Sequence, residues 1–407
     1  MNSITFEFID SSKKTYKLSM PTDSPKLEID DNFAKSLCAQ LNISTPTHFS
    51  IGIAANNMAL IIKDYTMTQA IRVFSFYNSD SHISMLQAID TNLEVVGQHI
   101  KHLQVNCKKL QLVDCSVDKI DIGLFKKFEP KKDNHNVELF KMELLDLRDS
   151  EIKTLDLFAE CARIDIQRTR LAEMMFYSGM FSRNAKIEEL HIWCNSNIDK
   201  LTISNSIKKF KIDTSKISRL YAHSTLRIET LETKDAVVES CYGFNQSTFS
   251  TPSYDSWSWI SKSAQNSLNT QLRADATYEM LKCSYKTEKK SDLFFGKLFD
   301  FCAGYGYKPF RIIRASALII LLNAIIYAVI DLITILKQHS IPLTCTSLCK
   351  AICHLWDNLL MSVASFIGQG ALTATDGIAY WFSTFEYLSG IILFAMFVNA
   401  LYLRYKE

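Results

Sequence analysis

The chain has 407 residues and a formal net charge of +2 at pH 7, a length that suggests two or three domains. Acidic and basic residues alternate through the first three quarters of the chain, so no broad basic surface marks a nucleic-acid-binding protein, and we expect no nucleic-acid partner. The mean hydropathy of +0.01 averages a polar N-terminal part and a strongly apolar C-terminal end.

Residues 1–92 are rich in Ile, Phe, Thr and Tyr and favour short strands, which we interpret as a β-rich N-terminal part of the repeats that follow. The N-terminus lacks the basic, apolar and small-residue pattern of a secretory signal, so we expect this part to stay in the cytosol. Eight of the eleven cysteines lie before the apolar end without CxxC spacing, which is typical of buried apolar thiols in a reducing compartment.

Residues 93–245 carry a repeat in which two large apolar residues flank one other residue. The pairs are Leu103/Val105, Leu110/Leu112, Ile120/Ile122, Leu145/Leu147, Leu155/Leu157, Ile164/Ile166, Leu190/Ile192, Leu201/Ile203 and Phe210/Ile212. Their near-constant spacing predicts a stacked β-solenoid, in which each coil buries its pair against the coils above and below. Two strands per coil and an irregular leucine-rich-like or pentapeptide-like coil both fit the spacing. A β-sandwich with evenly spaced strands is the alternative.

Two stretches interrupt this repeat. Lys126–Asn136 is polar and contains Pro130, and Arg170–Lys186 has the composition of a short helix that exposes Met and Phe. Loops on one side of a solenoid often bind ligands, and an ordinary solvated excursion is the alternative for each.

Residues 246–307 form a Ser/Thr-rich linker followed by juxtamembrane helices. Helical spacing runs from Trp259 to about Lys282, and a Phe-rich segment, Leu293–Phe301, has one apolar face. This segment fits an interfacial helix at the lipid headgroups, and a helix buried against the solenoid fits equally well.

Residues 308–407 contain two long apolar stretches, Ala315–Leu336 and Ile378–Leu403, each with one charged residue, Asp331 and Glu386. At about 1.5 Å per helical residue, each is long enough to cross a hydrocarbon core of about 30 Å. The sequence therefore predicts two membrane spans.

Basic residues lie just before the first span and just after the second. Lys308, Arg311 and Arg314 precede the first, and Arg404 and Lys406 follow the second. By the positive-inside rule, both termini are expected in the cytoplasm and the intervening loop outside.

The segment between the spans contains an apolar helical pattern, Leu355–Phe366, that is too short to cross a bilayer and is followed by Gly368 and Gly370. A helix that dips into the bilayer and ends in non-helical backbone must be buried in protein or line water. The predicted order is a span, a re-entrant helix, a Gly/Thr loop and a second span. This is the architecture of a pore domain, in which four copies surround a passage.

Three stretches of the last third of the chain resemble segments of a known family. The segment before the first span reads GYGYKPFR and contains Gly304, Tyr305, Gly306, Pro309 and Arg311. Asp357–Phe366 reads like a pore helix, and Glu386 with Gly390 opens an apolar run that has a basic end. These stretches resemble bacterial two-transmembrane potassium-channel-like proteins with a cytosolic pentapeptide/leucine-rich-type repeat domain. The resemblance implies a homotetramer in the bacterial inner (plasma) membrane, with lipid and a monovalent cation as partners.

The filter region departs from that family. Where the family has threonines and Gly-Tyr-Gly-Asp, this chain reads IGQGALTATD. The candidate pore and filter residues are Ser365, Gly368, Gln369, Gly370, Thr373, Thr375 and Asp376. A less selective cation pore and a degenerate, non-conducting filter both remain open.

Polar and small residues within the second span are further candidates. Glu386 is costly in lipid unless it braces the filter or holds a cation, and a carboxyl that reaches the outer interface is the alternative. Gly390 is a candidate gate hinge or a point of close helix packing.

Between the two spans, Cys345, Cys349 and Cys353 share one helix face. Three sulfurs without a fourth ligand favour packing, and we predict no metal site.

The sequence contains no nucleophile elbow, P-loop, dinucleotide-binding glycine pattern or zinc motif, so we predict no enzyme and no cofactor. The predicted fold is multidomain: a cytosolic β-solenoid followed by an α-helical two-span pore domain with a re-entrant helix. The predicted function is a tetrameric cation channel gated when the repeat domain binds a cytosolic ligand or protein. The alternatives are a non-conducting, membrane-anchored interaction protein and a depolarising toxic effector of bacterial defence.

Overall fold

The structure is a computed structural model that describes residues 3–22, 24–44, 46–63, 65–75, 82–123, 140–177, 186–286, 290–339, 354–369 and 377–405. The chain divides into two compact units, residues 1–267 and 268–407. The first is a stack of β-coils and the second is helical throughout its described residues.

The first unit consists of two long sheets. One sheet has the order β2-β1-β4-β6-β8-β10-β12-β14-β16-β18-β20 and the other β3-β5-β7-β9-β11-β13-β15-β17-β19-β21. The first sheet comprises β1 (Ser3–Asp10), β2 (Thr15–Pro21), β4 (Pro46–Ala54), β6 (Ile71–Ser75), β8 (Leu93–Val96), β10 (Lys109–Val113), β12 (Phe140–Arg148), β14 (Ala159–Gln167), β16 (Lys186–Trp193), β18 (Ser206–Asp213) and β20 (Arg227–Lys234). The second comprises β3 (Lys26–Ile29), β5 (Asn56–Lys63), β7 (His82–Ile89), β9 (His99–Asn106), β11 (Ser116–Ile122), β13 (Glu151–Leu157), β15 (Arg170–Phe176), β17 (Asn197–Ile203), β19 (Lys216–Ala222) and β21 (Val237–Tyr242).

The chain alternates between the two sheets, so each coil contributes one strand to each. From β3 and β4 onward neighbouring strands within a sheet are parallel, with a register shift near Met58 in β5; Leu190 pairs with Phe210, and Leu201 pairs with Leu220. The repeated Leu/Ile pairs point into the space between the sheets and are almost completely buried. The solenoid prediction is confirmed, with two strands per coil.

Many of the coil strands also bury a residue three positions before their apolar pair, such as Ile198 before Leu201. This spacing explains one wrong prediction. Arg170–Phe176 is strand β15, which buries Leu171 and Met174; their separation of three residues resembles a helical period. Residues 178–185 and the Lys126–Asn136 interruption lie outside the described residues.

Other elements cover the two ends of the stack. At the start, β1 pairs antiparallel with β2 and β4, and α1 (Asp31–Gln40) begins at Asp30, whose carboxylate accepts from the backbone N–H of Phe33. At the other end, α2 (Tyr254–Asn266) packs on β20 and β21, where Trp257 meets Phe249 edge-on at 5.0 Å. Terminal elements of this kind cap the ends of solenoids.

The described cysteines are free thiols, and most of them are buried. Burial raises the pKa of the Cys115 thiol to about 11 and that of Cys241 to about 12. These thiols therefore stay protonated at neutral pH and act as small apolar side chains, as the sequence predicts.

The second unit contains helices α3 (Thr270–Lys286), α4 (Lys290–Ala303), α5 (Pro309–His339), α6 (Leu355–Ile367) and α7 (Gly377–Tyr405). A short 3-10 turn, Gly304–Gly306, joins α4 to α5. Two stretches are long and apolar enough to cross a membrane, Pro309–Thr334 in α5 and Ala379–Leu403 in α7. Helix α6 is apolar but short, with 13 residues.

Candidate functional site

Helix α6 packs against both long helices with a polar face. Asn358, Ser362 and Ser365 are buried, whereas Trp356 and Ile367 are exposed. A soluble amphipathic helix has the opposite arrangement, with apolar residues inside. This inversion suits a helix whose outer surroundings are apolar.

Glu386 of α7 is fully buried and joins three helices. The Tyr327 hydroxyl of α5 donates a hydrogen bond of 3.0 Å to its Oε2, and the Ser362 hydroxyl of α6 bonds to its Oε1. A carboxyl in apolar surroundings is tolerated only when its oxygens have such partners. The Glu386 carboxyl therefore lies among the helices and does not extend to the outer membrane interface, which was the alternative on sequence grounds.

Ser362 has a second acceptor near the middle of the apolar stretch Pro309–Thr334. Its Oγ lies 2.9 Å from the carbonyl oxygen of Ile320. A serine hydroxyl carries one hydrogen, so it donates to one of these two oxygens at a time. One turn further along α6, Ser365 accepts a hydrogen bond of 3.2 Å from Ser383 of α7.

Gly390 is a point of close approach between α6 and α7. A Cβ atom at this position would lie 2.1 Å from the carbonyl oxygen of Phe366, so no larger residue fits without moving the two helices apart. Of the two roles considered for Gly390, close packing matches this contact. The C-terminal end of α6 thus lies beside the middle of α7.

Helix α6 ends at Gly368, which has a φ of +93°. Its N–H donates to the Ser365 carbonyl at 3.0 Å, and that of Gln369 donates to the Ala364 carbonyl at 2.8 Å. These two bonds make the left-handed glycine cap that commonly terminates helices. A side chain at Gly368 would also meet the Tyr387 ring at 2.6 Å.

The candidate filter residues are described in part. Ser365, Gly368 and Gln369 lie at the end of α6, whereas Gly370, Thr373, Thr375 and Asp376 lie outside the described residues. The trio Cys345, Cys349 and Cys353 also lies outside them. Within the described ranges, no group of three His, Cys, Asp or Glu residues is placed to hold a metal ion.

The segment before the first span forms a compact turn. Gly304, Tyr305 and Gly306 all have positive φ, and Pro309 begins α5. The Tyr305 ring stacks on that of Tyr285 in α3, with centroids 5.1 Å apart and planes at 3°. The turn thereby fixes the direction in which α5 leaves α4.

Arg311 holds α4 against α5. Its guanidinium donates to the carbonyl oxygen of Asp300 at 2.7 Å and to Asp300 Oδ1 at 2.5 Å. The Tyr278 hydroxyl of α3 donates to the same Oδ1 at 2.8 Å, and Lys308 pairs with Asp275 of α3. We call Tyr278, Asp275, Asp300, Lys308 and Arg311 the Tyr278 cluster.

The Tyr278 ring is almost fully buried, and cations lie around it. Lys308 Nζ is 5.0 Å and Arg311 Cζ 5.4 Å from the ring centroid, within the range of cation–π attraction. Burial, together with the Asp300 carboxylate, raises the pKa of Tyr278. The cluster therefore joins α3, α4 and α5 through a neutral phenol.

Sequence reasoning identified Glu386, Gly390 and Arg311 but not their partners. Tyr327, Ser362 and Tyr278 were missed because their partners lie far away along the chain. The one available signal was Asp300, a lone acid inside an otherwise Phe-rich segment.

Comparisons with protein-family models, with curated proteins and with solved structures found no match for this chain. The function is therefore inferred from the geometry of α5, α6 and α7 and from the residues at the end of α6.

Proposed function

We propose that the protein is a homotetrameric, channel-like membrane protein that conducts cations and is gated by its repeat unit. Helix α6 acts as the re-entrant pore helix, and the backbone that follows Gly368 lines the passage. Glu386 braces this helix between the two spans.

The observation that carries the proposal is the depth of α6. Ser362 bonds to Ile320, near the middle of the Pro309–Thr334 stretch, and Phe366 abuts Gly390, near the middle of Ala379–Leu403. A helix in an external hairpin would contact only the outer ends of the spans. At about 1.5 Å per residue, these contacts lie about 17 to 21 Å along the helices from the ends of the apolar stretches, at mid-bilayer depth.

The end of α6, at Gly368 and Gln369, consequently lies inside the bilayer in this proposal. Non-helical backbone at that depth must be covered by protein or face water, since lipid offers no hydrogen bonds. Three helices of one subunit leave large apolar side chains of α6 and α7 exposed, including Trp356, Ile367 and Trp381. Four copies about one axis would cover the loop and surround a passage lined by backbone carbonyls.

The proposal specifies cations and does not specify potassium, because the filter sequence is atypical. Carbonyl oxygens and the Asp376 carboxylate favour positive ions. The sequence between Ile367 and Asp376 lacks the Gly-Tyr-Gly run that the resembling family uses.

Gating by the repeat unit would pass through the Tyr278 cluster. Helix α3 follows the solenoid unit directly in the chain, and its Tyr278 shares Asp300 with Arg311 at the start of the first span. A displacement of α3 would therefore pull on α5, as a hinge between a sensor and a gate requires.

Cation flux into liposomes that contain the purified full-length protein tests this function. We expect flux from tetrameric protein and its loss in Glu386→Ala, with retention in Glu386→Gln. A folded tetramer that passes no ion under any tested voltage or ligand would overturn conduction.

A non-conducting membrane anchor for the solenoid is the second candidate. It is favoured by the polar face of α6, since Ser362 and Ser365 are both directed into the core of one subunit. A monomer or dimer in detergent, without axial symmetry, would support this alternative.

A further inference from the structure

Helix α4 has two faces that differ in what they contact. Along one face, Gly296, Asp300 and Ala303 recur at helical spacing and are turned toward the other helices of the unit. A Cβ at Gly296 would lie 2.8 Å from the Tyr285 ring, Asp300 binds Tyr278 and Arg311, and Ala303 is fully buried.

The opposite face of α4 is apolar and exposed. Leu298 and Phe301 are 47% and 61% exposed, and Lys297 beside them is also exposed. Leaving large apolar side chains in water is unfavourable relative to burying them. An exposed face of this kind indicates a partner.

The position of α4 in the chain identifies that partner. The helix ends at Ala303, and the first apolar stretch begins at Pro309 after a compact turn. The apolar surface continues onto α5, where Phe310 is 76% exposed and Ile313 lies beside the exposed Arg314. The end of α4 must therefore lie at the surface of any bilayer that α5 crosses.

We propose that α4 is an in-plane membrane-surface helix whose Leu298/Phe301 face inserts at the boundary between headgroups and acyl chains. Lys297 and Arg314 would lie among the lipid phosphates, as cations of interfacial helices do. This inference rests on the spans crossing a bilayer and holds whether or not the protein conducts ions.

Photocrosslinking tests it on the full-length protein in vesicles of phosphatidylethanolamine and phosphatidylglycerol. Benzoylphenylalanine replaces Phe301, and the matched control carries it at Gln271, an exposed position of α3. A second variant carries it at Leu298, in case the first one misfolds. Adducts are identified by mass spectrometry.

We expect at least about five times more lipid adduct at position 301 or 298 than at position 271, because only the former face is inserted. Equal lipid capture at the test and control positions would overturn the proposal. Predominant crosslinks to protein from position 301 would also overturn it, and they would assign the face to the solenoid or to another subunit.

Discussion

Tyr327 and Glu386 are 59 residues apart in the sequence, and the hydroxyl of the first donates a hydrogen bond of 3.0 Å to the carboxyl of the second. This contact joins the two long apolar helices at the level where α6 enters between them. Because Ser362 bonds to the other carboxyl oxygen, one side chain fixes the positions of three helices.

The first prediction concerns this carboxyl. Glu386→Ala leaves the buried Tyr327 hydroxyl without its acceptor, which costs about 1–3 kcal/mol, whereas Ser362 can still donate to the Ile320 carbonyl. We expect a lower Tm in nanodiscs and a smaller tetramer fraction by native mass spectrometry. Glu386→Gln keeps one acceptor oxygen and should lose less.

Ser389→Ala is the matched control for Glu386→Ala. Ser389 lies three residues away on α7, and its hydroxyl bonds to the Phe385 carbonyl of its own helix. A Tm loss in Ser389→Ala as large as that in Glu386→Ala would contradict a specific role for the carboxyl.

The second prediction concerns the contact between α6 and α7. Gly390→Ala places a methyl group against the Phe366 carbonyl oxygen. Overpacking of this kind typically lowers the free energy of unfolding by about 1–3 kcal/mol. We expect a lower Tm and a loss of flux. Ala395→Val adds more volume at an exposed position of the same helix and should be tolerated. If Gly390→Ala kept normal stability and only altered opening, the hinge role would be favoured.

The third prediction concerns the solenoid core. Leu201→Ala removes a fully buried side chain between two coils and should cost about 2–5 kcal/mol. Hydrogen exchange should accelerate most in β15, β17 and β19, since coils contact only their neighbours. Thr202→Ala, on the outer face of the same strand, should change exchange little; equal effects would contradict the assigned inward register.

The fourth prediction concerns the ionisation of Asp156 on the outer face of β13. Burial first, and then the neighbouring Asp121 carboxylate, raise its pKa. A raised folded-state pKa stabilises the fold below the unfolded pKa, and this contribution is lost as the pH rises through the folded value. Asp156→Asn should therefore be more stable than the natural chain at pH 7 and not at pH 3, measured by urea denaturation. A variant that is less stable at pH 7 would show that the carboxylate is needed.

The fifth prediction uses the raised pKa of Tyr278. The phenol should stay neutral in the folded state above pH 10, the ordinary range of tyrosine, whereas it ionises when unfolded. The contribution of Tyr278 to the free energy of unfolding is thus fully present below about pH 10 and declines above it. The difference in Tm between the natural chain and Tyr278→Phe should shrink as the pH is raised from 8 to 11. A difference that does not change with pH would contradict the burial of a neutral phenol.

The regular parts of the fold follow from local patterns in the sequence. Pairs such as Leu201/Ile203 predict the solenoid because one spacing recurs over many coils, and the two long apolar stretches predict their helices by length alone. Strand β15 was mistaken for a helix because Leu171 and Met174 have helical spacing within a strand. Helix α1 was missed because ten residues carry little periodic signal, although Asp30 and Asp31 mark its start.

The site is less predictable because its contacts join distant parts of the chain. Glu386 is conspicuous as a charge in an apolar stretch, but nothing local indicates that Tyr327 and Ser362 bind it. Gly390 could be a hinge or a packing point on sequence grounds, and only the approach of Phe366 distinguishes the two. The pairing of Tyr278 with Asp300 likewise requires the folded arrangement of α3, α4 and α5.

The most direct measurement for the central claim is a cryo-electron-microscopy map of the full-length protein in lipid nanodiscs. The account predicts four subunits about one axis, with α6 inside the bilayer and the segment from Gly368 to Asp376 facing that axis. A map in which α6 lies outside the bilayer as part of a surface hairpin, or in which the subunits enclose no passage, would contradict it.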